Sequence, residues 1–201
     1  MNYEKSPLIS FIVSVYNLES YLADCLDSIL NQPFYDYEIV LVNNSSTDGS
    51  DAICREYAEK HRRIRYFSLT GEPVLGRASI YGIKRSRGDY IQFVDADDML
   101  APNAYGEIER VLKTEMPDVV FGRFETLIEA ERLNATDRPF DPVRINLQGK
   151  EQALAYLAEA QPFILAMWLL ILSRKVCWFL RDEVNTPKHI ELSPNLHFDV
   201  C

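Results

Sequence analysis

The sequence predicts an α/β domain: a mostly parallel central sheet with helices on both faces. Three observations carry that expectation. Short apolar runs rich in β-branched residues recur along the first 124 positions. Segments with apolar residues at helical spacing separate them. Polar clusters stand where three of the runs end, at Tyr16-Asn17, Asn43-Asn44 and Asp95 to Asp98. Strand and helix alternating in this way close as parallel strands joined by right-handed crossovers.

The elements follow in order. "LISFIVSV" (Leu8 to Val15) is a strand apolar on both faces, as in parallel sheets. In "YNLESYLADCLDSILNQ", Leu22, Leu26, Ile29 and Leu30 mark a helix, with Asn17 as its N-cap and Pro33 beyond its end. "YEIVLV" (Tyr37 to Val42) is the second strand. A second helix spans about Ser50 to Lys60, capped by Thr47 or Asp48, with Ile53 and Tyr57 on one face and Ser45-Ser46 closing the turn. "RIRYFSL" (Arg63 to Leu69) is the third strand. A helix from Arg77 to Arg87 ends at Gly88 as a C′ glycine. "YIQFV" (Tyr90 to Val94) runs straight into "DADD". Pro102 opens a helix through about Lys113, and "DVVFGRF" (Asp118 to Phe124) is a fifth strand.

After Phe124 the alternation weakens. A charged, turn-rich stretch leads to a helix over Lys150 to Ala160. "FILAMWLLIL" (Phe163 to Leu172) is about half the length of a membrane span, with Arg174 and Lys175 close behind, and reads as buried core. The 201 residues suffice for one domain with a regular first half and an irregular second.

Composition narrows the function. A net charge of -9 argues against a nucleic-acid partner, which needs a basic face. Cys25, Cys54, Cys177 and Cys201 form no C-x-x-C pair, which suggests reduced thiols in a cytosolic setting. "MNYEKSPLIS" lacks the apolar stretch of a signal peptide. No Walker or G-x-G-x-x-G loop is present, and His61, His189 and His197 are scattered.

In open α/β sheets ligands sit at the carboxyl ends of the strands, so the three polar clusters can line one crevice. Three acids in "DADD" repel one another unless a cation relieves them. Mg²⁺ or Mn²⁺ suits such oxygen ligands, completed by water and substrate phosphates. The plain alternative is that Asp97 or Asp98 caps the following helix. An aspartyl-phosphate phosphatase would place its acids earlier in the chain. An EF-hand counted from Asp95 would need Gly and Glu where Leu100 and Gly106 stand. A nucleotidyltransferase would need a glycine-rich basic loop where "SVYNLES" stands.

Together, "SFIVSVYNLESYLADCLDSILNQ", "YEIVLVNNSSTDGS" and "GDYIQFVDADDML" resemble glycosyltransferase family 2 in order and spacing over roughly the first 100 residues. The resemblance implies a GT-A fold over 1–201, with a nucleotide-sugar-binding half (1–115) and an acceptor-side half (116–201). It implies a nucleotide-diphosphate sugar donor, UDP-sugar favoured, with Mn²⁺ or Mg²⁺ and inversion at the anomeric carbon. The acceptor would be a glycan or lipid-linked hydroxyl in cell-surface polysaccharide or glycolipid synthesis. The protein would be cytoplasmic, at the inner membrane face, and peripherally associated. Carried over, Val15, Tyr16, Glu19 and Asn44 lie near the donor base. Asp95 and Ala96 face the ribose, and Asp97 binds the metal. Asp199, in "PNLHFDV", matches the second acid of a Glu-Asp pair and becomes the general base.

The chain departs from the family pattern at several places. Ser14 replaces a proline, and Asn43-Asn44 replace a pair that usually contains an acid. Ser79 stands where an arginine contacts the donor. Phe198 replaces the first acid of the Glu-Asp pair, and Trp168-Leu169-Leu170 replaces Trp-Asn-Lys. Arg77, two positions from Ser79, does not share its helix face. The chain stops two residues after Asp199, where the family continues with a further helix, so a fragment or a shortened form is expected. These changes imply a second reading: a catalytically weak or inactive relative that binds nucleotide or glycan, or serves as a partner subunit.

Overall fold

The computed structural model describes residues 6–74, 76–121, 143–146, 170–175 and 177. In chain order the elements are β1 (Ile9–Val15), α1 (Leu22–Leu30), β2 (Tyr37–Asn44), α2 (Ser50–Lys60), β3 (Ile64–Leu69), α3 (Arg77–Arg85), β4 (Tyr90–Asp95), α4 (Tyr105–Thr114), β5 (Val119–Phe121), β6 (Val143–Ile145) and β7 (Leu170–Ser173). The strands form one sheet in the order β3-β2-β1-β4-β7-β5-β6.

β1 is the centre of the regular half. Its apolar side chains are buried on both faces, because β2 and β4 flank it in parallel and helices cover each side. Phe11, Val13 and Val15 join one cluster with Leu22, Leu26 and Ile29 of α1 and Tyr105, Ile108 and Leu112 of α4. Ile12 joins Val40, Val42, Ile91 and Phe93 in a second cluster, beneath Ala78 of α3. Each fully buried Ile, Val or Phe contributes about 2 kcal/mol of transfer free energy. α3 can lie close to the sheet because Ala78 and Gly82 are small. A side chain at Gly82 would overlap Ile12.

The sheet is mixed. β4 pairs antiparallel with β7, and β7 pairs antiparallel with β5. β5 therefore runs in the same direction as β4, as the crossover through α4 requires, but β7 occupies the slot between them. Ile171 and Leu172 of β7 are buried, as expected for the end of the Phe163 to Leu172 run. The strand character of its last residues, Leu170 to Leu172, was not legible. A ten-residue apolar stretch fits helix or strand equally, and its partner Tyr90–Gln92 lies about 80 positions away. Among the described residues no helix is long and apolar enough to cross a membrane. The expected helix over Lys150 to Ala160, and residues 122–124 of the expected fifth strand, lie outside the described residues.

Three local expectations are corrected. Asn17 is not the cap of α1: the helix begins at Leu22, and Asn17 has φ 54° in the loop before it. Pro102 does not open α4, which begins at Tyr105 after a turn closed by Ala104 N–H on the Ala101 carbonyl. Gly88 does not end α3. Ser86 ends it in extended backbone, and Gly88 is not among the positive-φ glycines. Gly88 answers a close approach instead, since a Cβ there would lie 2.5 Å from the Ser10 amide nitrogen.

That approach belongs to a polar clamp at the amino ends of the strands. Glu38 of β2 is buried. It accepts from the Ser10 hydroxyl at 2.7 Å, from Arg65 of β3 at 3.0 Å and from Arg87 Nε at 3.0 Å. The Gly88 amide donates to Ser10 Oγ at 2.8 Å. Burial alone would push the Glu38 carboxyl upward. The hydrogen bonds from Ser10, Arg65 and Arg87 outweigh it and hold the carboxyl below its ordinary value.

Two predictions follow from the clamp. A carboxyl held low in the folded state contributes stability above its unfolded pKa, and that contribution is lost as pH falls through the folded pKa. Urea midpoints of the wild type should therefore fall through this acid window more steeply than those of Glu38→Gln, which should already be about 2 kcal/mol less stable at neutral pH. Gly88→Ala should lower unfolding free energy by about 3 kcal/mol, through overpacking against β1.

Candidate functional site

Strand register builds the crevice. Ser14 of β1 pairs with Val42 of β2 and with Asp95 of β4. Paired residues in a parallel sheet point to one face, and i, i+2 residues share a face. Ser14, Asp95 and Asn44 therefore face the α3 side at the carboxyl ends of three adjacent strands. Two strand spacings, about 10 Å, separate the ends of β2 and β4.

The same alternation divides the two amides of "NNSS". Asn43 turns to the α2 side and is buried. Its Nδ2 donates to Asp51 Oδ1 at 2.9 Å, and its Oδ1 accepts from the Ser46 amide at 2.9 Å. It shapes the turn. Asn44 turns to the crevice. Its Nδ2 donates to the Val74 carbonyl at 3.2 Å, and its buried Oδ1 has no hydrogen-bond partner among the described residues. One of the two Nδ2 hydrogens is thus engaged, while Oδ1 stands as an unengaged acceptor.

The β1–α1 and β2–α2 loops are clasped together. Asn17 N–H donates to Ser46 Oγ at 3.1 Å, and Thr47 N–H donates to Asn17 Oδ1 at 2.8 Å. Leu18 N–H donates to Ser50 Oγ at 3.0 Å, and Glu19 N–H to Asp48 Oδ2 at 3.1 Å. The Glu19 carboxylate accepts from the Gly49 amide at the start of α2. The N-cap of α2 is Gly49, not Thr47 or Asp48 as expected, and Asp48, one residue before it, accepts from the Ser50 amide at 3.0 Å. Glu19 is thus engaged within the protein, and it reaches the crevice through the loop it holds. Tyr16, at the edge of this clasp, is 46% exposed. Val15 and Ala96 are fully buried, so neither presents surface to the crevice in this structure.

The acids end β4. Asp95 is half-buried, Asp97 exposed and Asp98 half-buried. Burial, then the charges of Asp98 and Asp97, push the Asp95 carboxyl up to about 6. Burial and Asp97 push Asp98 up as well. The loop itself is pinned to α1: Asp98 N–H donates to the Asp95 carbonyl at 3.0 Å, Leu100 N–H to Ser28 Oγ at 2.9 Å, and Gln32 Nε2 to the Ala101 carbonyl at 2.9 Å. Carboxylates held together against their own repulsion fit a divalent cation. No group of three or more His, Cys, Asp or Glu among the described residues could hold one alone. An ion here would take its remaining ligands from water or phosphate, as Mg²⁺ and Mn²⁺ commonly do.

Two departures noted separately in the sequence meet in space. Ser14 Oγ and Ser79 Oγ lie 3.2 Å apart, a hydroxyl pair at the level of Asp95. Arg77 does not stand in for the missing arginine. Its guanidinium donates to the Thr70 carbonyl at 2.8 Å and the Glu72 carbonyl at 3.2 Å, and so fastens the β3–α3 loop. Sequence reasoning missed Val74 as a crevice residue; it carries no chemical signal. Asp199, Phe198 and Trp168 lie outside the described residues.

The family model for glycosyl transferase family 2 matches residues 10–175. The chain belongs to this family. Glycosyltransferase GlyA of Streptococcus pneumoniae serotype 4 is 37% identical over 123 residues, 61% of this chain and 18% of the relative. Poly(ribitol-phosphate) beta-glucosyltransferase of Bacillus spizizenii is 35% identical over 122 residues, 58% of this chain and 19% of the relative. The crystal structure of Staphylococcus aureus TarS 1-349 in complex with UDP superposes with a TM-score of 0.52 at 26% identity, over 55% of this chain and 33% of that one. The sheet, its helices and these neighbours agree on the expected GT-A fold. The chain spans less than half the length of these relatives.

The clasp yields a direct test of Glu19. Glu19→Ala should lower the thermal midpoint by an amount equivalent to about 1 kcal/mol, the typical loss for a helix N-terminal acceptor. Glu19→Asp, too short to reach Gly49, should fall with it.

Proposed function

We propose that this chain transfers a sugar from a nucleotide-diphosphate sugar to a hydroxyl acceptor with inversion. The observation that carries the reading is the crevice itself. A lone acceptor, Asn44 Oδ1, lies two strands from a cluster of mutually repelling acids. One end suits a base and the other a diphosphate with its cation.

Roles follow from that layout. Asn44 Oδ1 accepts from a ring N–H, which uracil supplies at N3 and guanine at N1; a UDP-sugar is favoured because TarS is a relative solved with UDP. The exposed Tyr16 ring lies beside the base, and the buried Val15 and Ala96 hold the strand ends that carry Tyr16 and Asp97. Asp95 accepts from a ribose hydroxyl. Asp97 holds Mn²⁺ or Mg²⁺, which when bound supplies positive charge to the departing diphosphate. Glu19 keeps the base-side loop in place. Asp199 takes the acceptor proton as general base. The acceptor is a glycan or lipid-linked hydroxyl of a cell-surface polymer, handled on the cytoplasmic side of the membrane. The name of the Bacillus relative, a glucosyltransferase of poly(ribitol-phosphate), supports that class.

The Ser14–Ser79 pair favours a second reading, a relative that binds donor but transfers poorly. Ser79, paired with the Ser14 hydroxyl, stands where the family places a donor-contacting cation, so charge stabilisation on that side of the crevice is weaker.

Calorimetry with UDP should show binding that strengthens on adding Mn²⁺. Asn44→Ala should weaken it about tenfold, the worth of one hydrogen bond in a dry site, and Asp97→Asn should remove the metal dependence. No metal-dependent binding of any common nucleoside diphosphate would sink the proposal. Asp199→Asn should abolish sugar transfer while leaving UDP binding intact. Wild-type protein that binds donor but transfers nothing to any acceptor would favour the second reading.

A further inference from the structure

One edge of this acidic molecule is basic. Residues 62–87 contain seven Lys and Arg against a single acid, Glu72, in a chain of net charge -9. The fold gathers much of that charge. β3 is the outermost strand, and α3 packs beside it over β1 and β2. The Arg65 guanidinium lies 5.4 Å from the Phe67 ring centre. That of Arg85 lies 5.6 Å from Phe67 and 5.1 Å from Tyr81. Arg65 and Arg87 share the one carboxylate of Glu38, which leaves that trio positive. Lys84 and Arg85 are exposed, with no acidic partner among the described residues. Among the described residues Arg77 donates to carbonyls, which do not cancel its charge.

Against this edge lies an open groove of about 310 Å³, lined by Val74, Arg77, Ile80, Tyr81 and Lys84. The last four recur at helical spacing on the outer face of α3, opposite Ala78 and Gly82, which pack on the sheet. Val74 is 56% exposed. An apolar floor with an aromatic ring and a cationic rim has the makeup of a surface that sits at the lipid headgroup level.

We propose that the β3–α3 edge docks on an anionic lipid bilayer. Val74, Ile80 and Tyr81 enter the headgroup region, while Lys84, Arg85 and Arg77 meet lipid phosphates. Charge selects this occupant. An anionic surface repels most of the molecule and attracts this edge, so the same field binds and orients it. A second copy would bring like charge against like across a symmetric contact. The meaning of the docking rests on the proposed glycosyl transfer, whereas the binding does not. The groove begins at Val74, whose carbonyl holds Asn44, so docking would set the mouth of the crevice beside the bilayer, within reach of a lipid-linked acceptor.

Co-sedimentation of the full chain with vesicles tests this. Protein should pellet with vesicles containing phosphatidylglycerol, not with phosphatidylcholine alone, and less so as salt rises. Each basic residue near an anionic surface contributes about a fivefold factor. Lys84→Glu combined with Arg85→Glu should therefore lower the partition coefficient at least roughly thirtyfold. Lys84→Arg with Arg85→Lys should bind like wild type. Calorimetric UDP binding should be unchanged in the charge-reversed protein, so a failure of nucleotide binding registers separately. Equal pelleting with and without anionic lipid overturns the proposal, as does wild-type binding by the charge-reversed protein. A dimer in sedimentation velocity that Lys84→Glu/Arg85→Glu disperses, with no vesicle binding, overturns it in favour of self-association.

Discussion

The structure depends on β1 being buried on both faces. A strand with no wet side must be flanked and covered, and that demand draws in β2 and β4, α1 and α4 on one face and α3 on the other. Once β1 is registered against its neighbours, Ser14 stands level with Asp95, and Asn44 lies one pleat beyond Val42. Three residues from positions 14, 44 and 95 then share one wall without any contact of their own. The Glu38 clamp works at the opposite end of the same strands. It joins β1, β2, β3 and the turn into β4, so register is held at the end away from the crevice.

At the site end, stability and ligand chemistry are assigned to adjacent residues. Asn43 satisfies all it can reach inside the turn, and Asn44 keeps one acceptor in reserve. Glu19 and Asp48 accept main-chain donors across two loops, so those loops behave as one body. The acid cluster is the reverse case. Burial and mutual repulsion raise Asp95 and Asp98, and the protein retains that cost while pinning their loop to α1. Unrelieved electrostatic cost on a rigid loop is the mark of a group awaiting a partner.

Charge is distributed as unevenly as the polar groups. The acids face the crevice, while the β3–α3 edge collects cations on aromatic rings. The loop from β3 to α3 joins both regions, since Arg77 fastens it and Val74 in it holds Asn44. The basic edge and the crevice therefore share one hydrogen-bonded loop.

The sequence by itself determined the alternation of strand and helix through α4, the polar strand ends, and the three linked motifs that resemble the family to which the chain belongs. These signals are local: buried parallel strands read as apolar runs, and their ends read as abrupt polarity. Helix starts were less legible, because Asn17 and Pro102 carry cap chemistry that the loop-to-loop contacts and the turn before α4 took over. Only the tertiary structure decided that Asn43 and Asn44 have opposite duties, that Glu19 serves a helix start, and that β7 enters the sheet beside β4. It alone brought Ser14 to Ser79, two departures 65 positions apart that the sequence records as unrelated. Composition and periodicity report what each residue prefers, whereas pleat direction and strand register report which residues meet, and those are settled only when the sheet is assembled.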